Sequence, residues 1–128
     1  MPKKNKERLL TEVELELMNI IWRLEKCIVR DVLTALPDER DITYTSVAKI
    51  MKILEDKGVL RSKKNEKTHL YFPILTREEY EKRTLKHVAE KLFEGSPSSM
   101  VMRLLDEAEL SADELKRIHE TLKDRMRT

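Results

Sequence analysis

The feature that most constrains this chain is a helix-forming run that passes, across a single glycine, straight into a β-prone hairpin. Between Asp41 and Leu60, Val47, Ile50, Met51 and Leu54 recur at helical spacing and predict one buried stripe. Thr45, Ser46, Lys49 and Lys52 fall on another face of the same helix. Gly58 stands where a helix end favours left-handed backbone, and the residues after it turn through Asn65-Glu66-Lys67 into Thr68–Pro73, rich in β-branched and aromatic types. The order predicts a recognition helix followed by a wing with a basic tip. Hydroxyls and lysines can bond to base edges or phosphates, and the free N–H groups at a helix amino end favour phosphate. The plain alternative is a solvated polar face, which is common on surface helices. Against it, residues 43–72 carry seven Lys and Arg and three acids, a local charge of +4 on a chain whose formal net charge is +2. Positive charge is thus gathered where a groove and its flanking phosphates would lie.

The other helices announce their starts. Thr11/Glu14, Thr76/Glu79 and Ser111/Glu114 each match the capping box, in which hydroxyl and carboxylate satisfy each other's free backbone donors. The first helix is expected to run to about Glu25, with Val13, Leu17, Ile20, Ile21 and Leu24 on one stripe and Met18 and Trp22 beside it. Cys27-Ile28-Val29 is a candidate short strand pairing with the wing, and Val29–Leu36 a second helix ended by Pro37. Pro37–Ile42 is the loop before the recognition helix. Helix, short strand, helix, helix, hairpin is the order of a winged helix-turn-helix, so the predicted fold is mainly α with a small β-hairpin wing over residues 1–75.

From Thr76 the character changes. Eleven Lys and Arg face twelve acids, and residues 76–128 read as three helices without strands. Tyr80, Leu85, Val88, Leu92 and Phe93 give the first an apolar side, and Gly95–Ser99 is expected to break the chain before Met100–Leu105. Short amphipathic helices cannot bury their apolar faces alone. Packing back on the winged helix is one solution and interlocking with a second copy the preferred one, which makes 76–128 a helical dimerisation segment. Its expected interface residues are Met100, Val101, Leu104, Leu105, Leu115, Ile118 and Leu122.

Composition removes several function classes. The 128 residues, 40% hydrophobic and 39% charged, suit a helix-rich chain, and no apolar run approaches the ~18 residues of a membrane span. The basic start Met1–Lys6 is not a signal-peptide core, so a cytoplasmic location without membrane insertion is expected. Cys27 is the single cysteine, which excludes an internal disulfide or a multi-thiolate metal site within one subunit and suits a small buried residue. His69, His87 and His119 are scattered over a hairpin and two helices, with no His-x-x-x-His pair or phosphate loop. No catalytic residue, metal or cofactor is therefore expected, and Met100, Met102 and Met126 read as interface core in preference to a small-molecule pocket.

Within the recognition helix and wing, Thr45, Ser46 and Lys49 are assigned to base edges, and Thr43, Tyr44, Lys52, Lys63, Lys64 and Lys67 to phosphates of double-stranded DNA. The rival is a winged helix used for protein–protein contact without specific DNA binding. Such a wing would show aromatic or aliphatic anchors at its tip, whereas this tip is Lys63-Lys64-Asn65-Glu66-Lys67. Ile53 is open to two readings, contact with a thymine methyl or extension of the core.

Leu10–Met18 with Trp22, Val29–Val32, Tyr44–Val47, Leu54–Leu60, Tyr71–Pro73 and Met100–Leu110 with its following acidic helix occur in an order that resembles the penicillinase-repressor (BlaI/MecI/CopY-type) family of winged-helix transcriptional regulators. The resemblance implies a bacterial repressor that binds an inverted-repeat operator as a homodimer through carboxy-terminal helices. It also implies release by proteolysis in the dimerisation segment, making a membrane sensor metalloprotease that responds to β-lactam a candidate partner. Arg103-Leu104 stands where the family's cleaved Asn-Phe pair aligns, a poor match for that protease, and no thiol cluster of the copper-responsive branch follows Leu110. Lys49 and Ile53 replace residues that are often Thr and Arg in the family, leaving room for a different operator.

Overall fold

The computed structural model describes residues 9–127; the basic start Met1–Lys6 lies outside them. Helix α1 spans Glu12–Leu24, α2 Val29–Ala35 and α3 Tyr44–Asp56; strands β1 (Leu60–Asn65) and β2 (Thr68–Pro73) follow, then α4 (Arg77–Leu92), α5 (Pro97–Glu107) and α6 (Ala112–Met126). All three capping boxes form: Thr11 with Glu14, Thr76 with Glu79 and Ser111 with Glu114 exchange their paired bonds at 2.9–3.1 Å. Elements divide into two compact units, 1–85 and 86–128, so the division falls inside α4.

In the first unit, α1, α2 and α3 close on the hairpin around Leu17, Met18, Ile21, Val32, Val47, Met51, Leu54 and Leu60, each with 1% exposure or less. Burial of side chains of this size contributes about 1.5–3 kcal/mol apiece. Met18, expected beside the α1 stripe, is fully inside. Leu24, expected on the stripe, is 39% exposed because α1 ends there: Glu25 takes φ 72° and turns the chain out of the helix. The hairpin is antiparallel with Leu60 opposite Pro73 and Asn65 opposite Thr68, which makes Glu66-Lys67 the connecting pair and puts Glu66 at φ 59°. Gly58 supplies the left-handed step after α3, at φ 82°.

The candidate strand at Cys27 contracts to a single bridge, in which Cys27 and Tyr71 exchange both backbone bonds (2.9 and 2.7 Å). Two long-range contacts fix the ends of the recognition helix and its loop. Lys57 donates to Glu14 at 2.6 Å, and Arg40 pairs with Glu16 at 2.8 Å. Burial alone would raise the Glu14 carboxyl, but the Lys57 ammonium and the Thr11 N–H and hydroxyl outweigh it and hold the group below its ordinary value.

In the second unit, the expected break over Gly95–Ser99 is shorter. Ser96 caps α5 and Pro97 starts it, a first-turn position where the missing N–H costs nothing. Glu94 and Gly95 carry the turn at positive φ, and Gly95 donates to the Ala89 carbonyl at 2.8 Å. Helices α5 and α6 contain no buried residue.

Candidate nucleic-acid interface

The amino end of α3 is built around Thr43. Its hydroxyl oxygen accepts from the Ser46 N–H (3.1 Å) and its proton goes to Ser46 Oγ (3.0 Å). Val47 N–H is taken by the Thr43 carbonyl. The N–H groups of Tyr44 and Thr45 stay open among the described residues, the anion-attracting end of a helix. Ser46 Oγ, having accepted one proton, retains its own to give. One of its lone pairs also stays open, so it can donate to an acceptor such as purine N7 or accept from an amino group.

Thr45, Ser46 and Lys49, assigned to base edges, are all exposed on α3, and its opposite side is sealed by Val47, Met51 and Leu54. Tyr44 is 45% exposed, with the Arg30 guanidinium from the first turn of α2 lying 5.1 Å from its ring centre. Arg30 was not visible as a site residue in the sequence. The contact joins two helices, and no spacing in the chain marks it. Ile53 is 38% exposed at the far end of α3, so it is not part of the closed core.

Pairing sorts the positive charges. Lys57 is consumed by Glu14, and Lys52 sits 3.7 Å from Glu55 and 3.6 Å from Asp56. Lys49, Arg61, Lys63, Lys64 and Lys67 have no ion pair among the described residues. Wing register separates them further. Residues opposite each other share a face, so Lys64 and His69 continue the face of Ser62 and Tyr71. That face turns toward α3, since Tyr71 is buried and the Ser62 hydroxyl donates to Glu55 at 2.6 Å. Lys63 points the other way with Arg61, whose guanidinium lies 5.9 Å from the Phe72 ring centre. The two neighbouring lysines therefore leave the wing on opposite faces.

In the second unit, Val101, Leu104, Leu115 and Leu122 are exposed and Met100, Leu105 and Ile118 half-buried. His69, His87 and His119 are exposed on three different elements, and no group of metal-ligating side chains occurs among the described residues. No helix among them is long and apolar enough to cross a membrane.

Comparison with known proteins agrees with this fold. Residues 10–124 match the family described as penicillinase repressor. The chain is 25% identical over 118 residues to the methicillin resistance regulatory protein MecI of Mammaliicoccus sciuri, covering 92% of this chain and 96% of that one. It is 22% identical over 115 residues to the penicillinase repressor of Bacillus licheniformis, covering 90% of each. The solution structure of the DNA-binding domain of the repressor BlaI superposes with a TM-score of 0.50 at 22% identity, over 56% of this chain and 87% of that domain, and shows the winged-helix fold.

Proposed function

The chain belongs to the penicillinase repressor family, and from that premise we propose that it represses transcription by binding an inverted-repeat operator as a homodimer. The observation that carries the reading is the exposed Thr45/Ser46/Lys49 face of α3, flanked by unpaired lysines on the wing. A face with three short or flexible hydrogen-bonding groups in the first turns of a helix fits a major groove, and the wing's loose cations fit the phosphates beside it. Lys52 is the weakest of the phosphate assignments, because it must leave Glu55 and Asp56 to make the contact. Arg30 joins the phosphate group through its stack on Tyr44.

Dimerisation is supported by the second unit, whose α5 and α6 present apolar side chains that nothing in one copy buries. The candidate interface is Met100, Val101, Leu104, Leu105, Leu115, Ile118 and Leu122. Two winged helices joined in this way match a two-fold repeat in DNA. Release from DNA by a membrane-linked protease route has less support: Arg103-Leu104 lies within α5, where Arg103 reaches Glu107 at 3.7 Å.

The test is fluorescence anisotropy on an inverted-repeat duplex selected from genomic fragments and on scrambled DNA of equal length, each across a range of salt. Binding to the repeat that persists as the scrambled duplex is lost supports specific repression. Equal, salt-labile binding to both, together with no fragment enriched by selection, rejects it in favour of the protein-binding module.

A further inference from the structure

Within the first unit, an open groove of about 440 Å³ lies between α1 and the first turns of α4. That is within the roughly 300–1,000 Å³ of small-molecule sites. Its walls are apolar: Leu15 and Trp22 from α1, Tyr80 and Leu85 from α4, with Leu85 56% exposed. The walls are also fixed. Trp22 Nε1–H donates to the Leu75 carbonyl at 2.8 Å, the Tyr80 hydroxyl accepts from Leu10 N–H at 2.9 Å, and the Thr84 hydroxyl donates to the Tyr80 carbonyl at 2.8 Å.

Among the described residues, the Asn19 carboxamide, the Arg77 guanidinium and the Glu81 carboxylate of the lining make no hydrogen bond or ion pair. The Arg77 guanidinium carbon lies 5.0 Å from the Trp22 ring centre, a cation–π contact that uses none of its N–H donors. An apolar, ring-sized slot with a planar cation and an amide at its rim suits a ring bearing one carboxylate. Glu81, also on the rim, is the lining's negative group, so the single carboxylate of the occupant must turn to Arg77 and its neutral part toward Glu81.

We propose that this groove binds a small aromatic monocarboxylate that acts as an effector of DNA binding. The ring lies against Leu15, Tyr80 and Leu85, and the carboxylate meets Arg77 and Asn19. Helix α4 begins in this unit and continues into the second, so an occupant pressing on its first turns acts on the element both units share. The effector role rests on the repressor reading; the binding site does not.

Trp22 is the single tryptophan of the chain and lines the groove, so its emission reports occupancy directly. The full-length protein is titrated with 4-tert-butylbenzoate and with neutral 4-tert-butylbenzamide, and operator affinity is measured with and without saturating benzoate. The expected result is a saturable emission change with the benzoate and a much weaker one with the amide. Arg77→Gln is expected to weaken benzoate binding about tenfold, the scale of a lost charge-assisted pair. Asn19→Ala, which leaves the Arg77–Trp22 stack in place, is expected to weaken it less, and operator affinity should change on saturation. Equal responses to both probes, or an unchanged Arg77→Gln variant, would overturn the carboxylate site. No response from protein that sediments as a dimer would show the groove closed by the second copy and also overturn it. Benzoate binding with unaltered operator affinity removes the effector role. Failure of the repressor reading shows separately, as absent sequence preference without any ligand.

Discussion

The two units are equally amphipathic in sequence and opposite in burial. In the first, stripes at helical spacing on α1 and α3 meet one another and the hairpin, and eight large side chains become inaccessible or nearly so. In the second, α5 and α6 carry stripes of the same kind and bury nothing. Periodicity states that a face is destined to be covered. It does not state what covers it: the first unit covers its own, while the faces of α5 and α6 stay uncovered among the described residues.

The comparison breaks first in the core. Leu54→Ala removes a fully buried side chain and is expected to cost about 2–5 kcal/mol, measured by urea unfolding. A loss that depends on protein concentration would show that the first unit also leans on a partner. Next, Ile118→Asp should yield a monomer by sedimentation and sharply lower operator affinity, while the urea transition of the first unit stays put. An intact dimer would move the interface elsewhere.

Within the first unit, Ser46→Ala and Lys49→Ala are expected to cost about 1–3 kcal/mol on the preferred operator and to alter ranking among operators, read by competition anisotropy. A smaller effect concerns acid. Glu14 has its folded-state value depressed, so its contribution is present above the ordinary carboxylate range and is lost as pH falls through that depressed value. Glu14→Gln should flatten the acid limb of stability against pH, followed by circular dichroism, and leave the neutral-to-alkaline side unchanged in slope. Smallest is Lys64→Ala, which should weaken all sequences alike and reduce the salt slope by about 1.

Local chemistry was legible and cross-chain chemistry was not. Thr11, Thr76 and Ser111 mark helix starts because a cap involves residues three apart, and Gly58 and Pro37 mark ends for equally local reasons. The same locality explains the misses. Leu24 fits the α1 stripe by spacing, but the chain leaves the helix at Glu25. Ser96-Pro97 reads as a breaker, yet proline at the first helical position begins α5. The candidate interface was legible as an exposed face and as a total charge. Which cations remain loose depends on Glu14 meeting Lys57 from 43 residues away and on Arg30 reaching Tyr44, contacts that exist only after folding.

One buried group gives the wing a lifetime that can be timed. Cys27 is 1% exposed, its backbone is tied to Tyr71, and burial pushes its thiol up to about 11, with Asp31 adding to the effect. At neutral pH the sulfur is both hidden and protonated, so an alkylating reagent must wait for the hairpin to part from the body of the domain. As the single cysteine in the chain, it turns mass-spectrometric labelling into a clock for that opening, and operator DNA that grips the wing should slow it.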